Sequence, residues 1–154
     1  MKKYLLSFFM VVLAGMGVYS QNFNRVTQIV EASEITNGQA AYFVGTYLGN
    51  VKENASDAEA VEVLKEAGLI PANTIADFKI KLKDLCSLYA KVCGVKGGMM
   101  YNFTKKSPRY AFKEFKAKGW LPKNADPSMK VTGTNAISLF NSVTGDDKWK
   151  RFLN

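Results

Sequence analysis

The sequence predicts an all-α chain of tandem helix-loop-helix repeats sharing one core, and three observations carry that expectation. Residues 66–71 read EAGLIP and residues 117–122 read AKGWLP, so one glycine-and-proline punctuation returns after 51 positions. Capping patterns precede apolar stripes of helical spacing on both sides of that punctuation. No alternating apolar and polar run extends beyond the few residues around Phe78-Lys79-Ile80, which leaves little room for strands.

The chain opens with Lys2 and Lys3, the apolar run Leu5 to Val18, and the small residues Val18 and Ser20 at positions −3 and −1 of a cleavage site before Gln21. This is the pattern of a secretory signal peptide over 1–20, with an uncleaved anchor as the alternative. The apolar run is shorter than the roughly 20 residues a membrane span requires. The expectation is an exported protein of the periplasm or cell surface of a bacterium. Export in turn argues against nucleic acid as a partner, although aromatics and bases interleave from Tyr101 to Lys123.

Beyond the leader, a domain is expected over 21–145. Val26 to Ala32 fits a short first helix. A helix over 35–48 begins at Thr36, whose hydroxyl forms a capping box with Gln39 while Ile35 staples onto Ala40. Ser56-Asp57-Ala58-Glu59 is a second capping box and opens a helix over 57–67 with Ala60, Val61, Val63 and Leu64 as its stripe. Gly68 stops it and Pro71 keeps it from resuming. A loop leads to a helix over 80–93 carrying Leu82, Leu85, Leu88, Tyr89 and Val92. No hydroxyl caps that helix, a deficit of about 1 kcal/mol. Residues 95–106 read as a connector. Ser107-Pro108 starts a helix over 109–118 with Phe112 and Phe115 inward, Gly119 and Pro122 end it, and Thr132 with Asn135 weakly caps a helix over 133–143. The pairs 57–67 with 80–93 and 109–118 with 133–143 form two units, 57–95 and 108–145. The helix at 35–48 belongs to a partial unit at 33–51, and 146–154 is a C-terminal tail.

The register supports this division. At the single offset of 51, Gly68 falls on Gly119, Pro71 on Pro122, Asn73 on Asn124, Ile80 on Val131, Leu88 on Leu139 and Tyr89 on Phe140. VTGTNA at 131–136 also echoes ITNGQA at 35–40. Units of this kind cannot bury their apolar faces alone, so they share a core.

Chemistry is constrained by what is missing. Histidine is absent, which removes the commonest general base and metal ligand. No nucleophile–base pair, phosphate loop or metal-ligand spacing appears, so no catalytic residue, metal or cofactor is expected and the chain reads as a non-enzyme. Cys86 and Cys93 lie seven apart, about 10 Å by helical rise, too far for a mutual disulfide. They read as inert thiols, with an intermolecular bridge as the alternative.

Charge is unevenly distributed. Residues 21–78 hold eight acids and three bases, 79–154 hold five acids and sixteen bases. An acidic front and a basic back attract anionic partners at one end or further copies of the chain head to tail.

The repeat over about 33–145 resembles a divergent S-layer homology domain. The resemblance rests on Ala60–Pro71 with Phe78–Val95, Ala111–Pro122 with Met129–Val143, and Ile35–Val51. In that family a helix ends in glycine and aliphatics, and an extended segment then leads into an I-T-R-A-E-F helix start. The resemblance implies a module that anchors proteins to the envelope through an anionic, pyruvylated wall polysaccharide. The family's T-R-A-E positions fall on Thr36-Asn37-Gly38-Gln39, Lys81-Leu82-Lys83-Asp84 and Thr132-Gly133-Thr134-Asn135; only Asp84 keeps the acid, and the arginine is absent throughout. The ligand-contact candidates are therefore Lys79, Lys81, Lys83, Lys123 and Lys130 as anion contacts, Trp120 as a sugar or partner platform, and Thr132 and Asn135 at the last helix start. The partner expected is an anionic cell-wall polymer or an envelope protein. A homo-oligomeric structural subunit is the alternative, and contact with a membrane surface a lesser one.

Overall fold

The computed structural model describes residues 25–145, so the leader and the tail lie outside the described residues. Within them the chain is all-helical. Helix α1 covers 25–31, α2 Asn37–Tyr47, α3 Asp57–Glu66, α4 Leu82–Val92, α5 Met99–Phe103, α6 Pro108–Ala117 and α7 Gly133–Thr144.

Local chemistry sets most of these boundaries. Thr36 and Ser56 each form the full reciprocal capping box expected, with Gln39 and Glu59 respectively. Thr132 accepts only from the Asn135 amide. Gly68 and Gly119 end α3 and α6 in the left-handed region, at φ 68° and 76°. Ser107 precedes Pro108 as expected but makes no side-chain cap bond. Gly145 ends α7 in the right-handed region, unlike Gly94 at the end of α4.

Helix α4 lacks a side-chain cap at Lys81, and the backbone supplies the partners instead. The Leu82 N–H donates to the Met129 carbonyl at 2.8 Å and the Lys83 N–H to the Pro127 carbonyl at 3.0 Å. A neighbouring loop thus satisfies donors that would otherwise be orphaned.

That exchange belongs to a set of bonds tying three extended segments together. Ile35 N–H donates to Val131 C=O at 2.8 Å, Ile80 N–H to Ile35 C=O at 3.1 Å, Asn37 N–H to Phe78 C=O at 2.8 Å and Gly133 N–H to Ala32 C=O at 2.9 Å. Isolated antiparallel bridges join Thr36 to Lys79 and Lys81 to Lys130. Each segment runs straight into one of α2, α4 and α7. The three helices lean together on Phe140, whose ring stands edge-on to Phe43 at 5.1 Å, Tyr47 at 4.9 Å and Tyr89 at 5.0 Å. The Tyr89 hydroxyl donates to the Ala136 carbonyl at 3.1 Å, tying α4 to α7.

Packing between helices differs from the expected units. Helix α3 lies mainly against α2, and α6 against α4. The helices of each proposed unit, α3 with α4 and α6 with α7, are not the main packing pairs. The connectors 48–56 and 93–107 fold α3 back onto α2 and α6 back onto α4, whereas 67–81 and 118–132 carry the chain away to a different helix pair. A single buried cluster still runs from Ile29 in α1 to Val143 in α7. The connector expected at 95–106 contains α5, anchored by Tyr101, which is 1% exposed and donates its hydroxyl to the Val95 carbonyl at 2.9 Å.

Candidate binding clefts

Two clefts open beside the three-segment junction. One, of about 350 Å³, lies between the loop from Trp120 to Val131 and the flank of α7, where Asn135, Ser138, Leu139 and Ser142 line it. The other, of about 450 Å³, lies between the loop from Leu69 to Ile80 and the flank of α4, where Asp84, Ser87, Leu88 and Lys91 line it. Their linings correspond. Leu69, Ile70, Pro71, Asn73, Phe78, Ile80, Asp84, Ser87, Leu88 and Lys91 line the α4 cleft, and the residues 51 positions after each of them line the α7 cleft.

The chemistry of the two is related but not identical. The α7 cleft joins an indole, aliphatic walls, the amides of Asn124 and Asn135 and the hydroxyls of Ser138 and Ser142, with Lys130 as its cation. Trp120 is half-buried there, edge-on to Phe115 at 5.1 Å, with the Lys118 ammonium 5.6 Å from its ring centre. The α4 cleft is more charged and has an extra wall, formed by Thr104, Lys105, Ser107 and Pro108. Burial raises the Asp84 carboxyl above its ordinary value, against the opposing pull of Lys83 and Lys81. Burial lowers the Lys91 ammonium, with Lys106 pushing the same way, and that ammonium donates to the Leu69 carbonyl at 3.1 Å.

The extra wall is held in a costly backbone conformation. Lys105 and Lys106 both have positive φ, 51° and 59°, which costs a non-glycine residue about 1–2 kcal/mol each. Two bonds to α4 hold the turn: the buried Ser87 hydroxyl donates to the Lys106 carbonyl at 2.7 Å, and the Lys106 ammonium donates to the Ala90 carbonyl at 3.3 Å.

Of the residues singled out in the sequence, Trp120, Lys130 and Asn135 come together in the α7 cleft. Thr132 sits beside them with its hydroxyl engaged as the α7 cap. Lys79 and Lys130 converge on Glu34 instead of a common anion site: Lys79 donates to its carbonyl at 2.8 Å and Lys130 pairs with its carboxylate at 3.0 Å. Lys81 is exposed at the start of α4, Lys83 half-buried behind it, and Lys123 exposed on its loop; none of the three lines either cleft. Sequence reasoning passed over Asn73, Ser87, Lys91 and Lys105 in one cleft and Asn124, Ser138 and Ser142 in the other. The signal was present, since the offset of 51 aligns Asp84 with Asn135, Ser87 with Ser138 and Lys91 with Ser142.

Both cysteines are free. Burial pushes the Cys86 thiol up to about 12 and the Cys93 thiol up to about 11. Among the described residues no group of three or more histidine, cysteine or acidic side chains is placed to hold a metal ion, and no helix is long and apolar enough to cross a membrane. No protein-family model, curated protein or solved structure matches the chain.

Proposed function

We propose that this chain is a non-enzymatic, exported module of a bacterial cell envelope that binds an anionic wall polymer through its two corresponding clefts. In this reading about two and a half S-layer-homology-like units, a partial one at 33–51 and two at 57–95 and 108–145, share one core. The observation that carries it is the match of the two cleft linings at a single offset. The junction supports the same division: Asn37, Leu82 and Gly133 each open a helix, and each donates its N–H to a carbonyl of a neighbouring segment. Helices α3 and α6 likewise begin and end 51 positions apart.

The ligand class follows from the lining. Amides and hydroxyls set among aliphatic and aromatic walls suit a polyol, since each sugar hydroxyl needs a partner and each sugar face an apolar contact. Lys91 and Lys105 at the α4 cleft add the positive charge that an acidic saccharide requires, whereas Lys130 at the α7 cleft is paired with Glu34. Two sites on one rigid core also favour a polymer over a monomer, because linked weak contacts multiply. Co-sedimentation with isolated wall sacculi at low and high salt tests the reading. It expects binding to sacculi that carry their anionic polymer and loss of binding once that polymer is stripped.

A second reading, self-assembly of a structural subunit, is favoured by one observation. A wide groove on α3 presents Glu59, Glu62 and Glu66, opposite in sign to the basic back of the chain. Salt-sensitive oligomers of the purified protein that ignore sacculi would support it over the first.

A further inference from the structure

The connector between α4 and α6, residues 93–107, is six residues longer than the connector between α2 and α3, residues 48–56. The additional length carries α5, and α5 displays three large apolar side chains to solvent: Met99 is 84% exposed, Met100 50% and Phe103 82%. Met99 and Phe103 stand one turn apart on the same face, with Met100 beside them. None of the three lines either cleft. Adjacent exposed apolar side chains of this kind differ from the single scattered ones normal on a surface.

The display is rigid. Tyr101 roots α5 in the core. The Gly98 N–H donates to the Glu114 carboxylate at 2.9 Å and the Asn102 amide to the Gly97 carbonyl at 2.9 Å. A Cβ at Gly97 would stand 2.4 Å from the Tyr101 ring and 2.8 Å from the Glu114 carboxyl carbon, so α5 packs directly on that backbone. The three side chains point outward because the segment is fixed that way, so little ordering cost remains to be met on binding.

The chain around the cluster is mainly basic. From Leu85 to Lys113 the sequence contains six bases and no acid: Lys91, Lys96, Lys105, Lys106, Arg109 and Lys113. Lys96 and Lys105, on either side of α5, are exposed, and one acid, Glu114, stands beside them, accepting from the Gly98 N–H. We propose that α5 is a membrane-contact tip, inserting Met99, Met100 and Phe103 into the interface of an anionic lipid bilayer while the flanking lysines rest on its headgroups. An acidic protein surface would satisfy the lysines alone, whereas three adjacent outward apolar side chains fit the boundary between headgroups and acyl chains.

The test uses the full-length product as the cell processes it, with vesicles of phosphatidylcholine alone or mixed with phosphatidylglycerol. Binding to the mixed vesicles and at least tenfold weaker binding to the neutral ones is expected. Met99→Ser with Phe103→Ser should lower partitioning at least tenfold at an unchanged melting temperature, and Lys96→Gln should lower it about fivefold. A Phe103→Trp variant keeps the test independent of that pair: brominated acyl chains should quench its added indole beyond any quenching in the parent. The proposal is overturned if the parent ignores mixed vesicles, if the double variant binds as the parent does, or if the indole at 103 is not quenched. Retention on a polyglutamate resin by a protein that ignores vesicles would replace it with an acidic protein partner.

Discussion

The backbone amide of Ile35 donates to the carbonyl of Val131 at 2.8 Å, joining the start of α2 to the start of α7. Both residues are buried, so the bond closes the junction inside the core. Gly133, two positions on, makes the closure sterically exacting, because a Cβ there would stand 1.6 Å from the Ile29 carbonyl oxygen. Backbone cannot swing aside as a side-chain tip can. Gly133→Ala is therefore expected to cost about 3 kcal/mol or more, in the range of severe core lesions, whereas Gly68→Ala at an open helix stop costs about 1 kcal/mol. Urea unfolding of the two variants checks the ranking. Equal losses would mean that the N-terminal segment does not close on α7.

Lys81 occupies the cap position of α4, with extended backbone at φ −88° and ψ 150° and no side-chain bond. Thr36 and Thr132 hold the corresponding positions of α2 and α7 and both accept from the third helical amide. Lys81→Thr is expected to stabilise the protein by about 1 kcal/mol, read as a raised melting temperature. The missing cap is visible in the sequence but its replacement is not, because the carbonyls of Pro127 and Met129 come from a loop more than forty residues away.

That contrast marks how far the sequence is legible. Capping boxes at Thr36 and Ser56 and glycine stops at Gly68 and Gly119 are local chemistry, and they place the helices they bound. Helix partners are not local: an apolar stripe on α3 says that α3 is covered, not that α2 covers it. Helix α5 escaped notice because its five residues are too few for periodicity, and its one buried anchor, Tyr101, looks like any aromatic in a glycine-rich connector. For the clefts, counting lysines pointed to Lys81, Lys83 and Lys123, which line neither. Aligning the units position by position points to Ser87 with Ser138 and Asp84 with Asn135, which line both.

Thiol reactivity should follow burial. With Cys93 pushed up to about 11 and Cys86 up to about 12, almost no thiolate exists at pH 8, and the thiolate is the reacting species. In native protein Cys93 is expected to react with iodoacetamide at least about tenfold more slowly than free cysteine, its rate still climbing at pH 10. Cys86 should react only on unfolding. Mass spectrometry of the labelled chain separates the two, and a fast native Cys86 would contradict its burial.

Asp84 gives a pH dependence with a definite sign. Its folded value is raised above 3.8 by burial, so the folded state binds the proton more tightly than the unfolded chain. The stabilisation it contributes is fully present below 3.8 and is lost as pH rises through the folded value. Asp84→Asn should therefore be at least as stable as the parent at pH 7, and any gain should vanish on acidification below 3.8. A variant less stable than the parent at pH 7 would mean that the ionised carboxylate is held by Lys81 or Lys83 more strongly than burial opposes it.

The account stands most directly on the correspondence of the two clefts. Its decisive measurement is an amide chemical-shift titration of the full chain with solubilised anionic wall polysaccharide. The account predicts shifts clustered at Asp84, Ser87 and Lys91 and again at Asn135, Ser138 and Ser142, with Asn135→Ala abolishing only the second set. Shifts confined to the acidic groove on α3, or no shifts at saturating polymer, would contradict it.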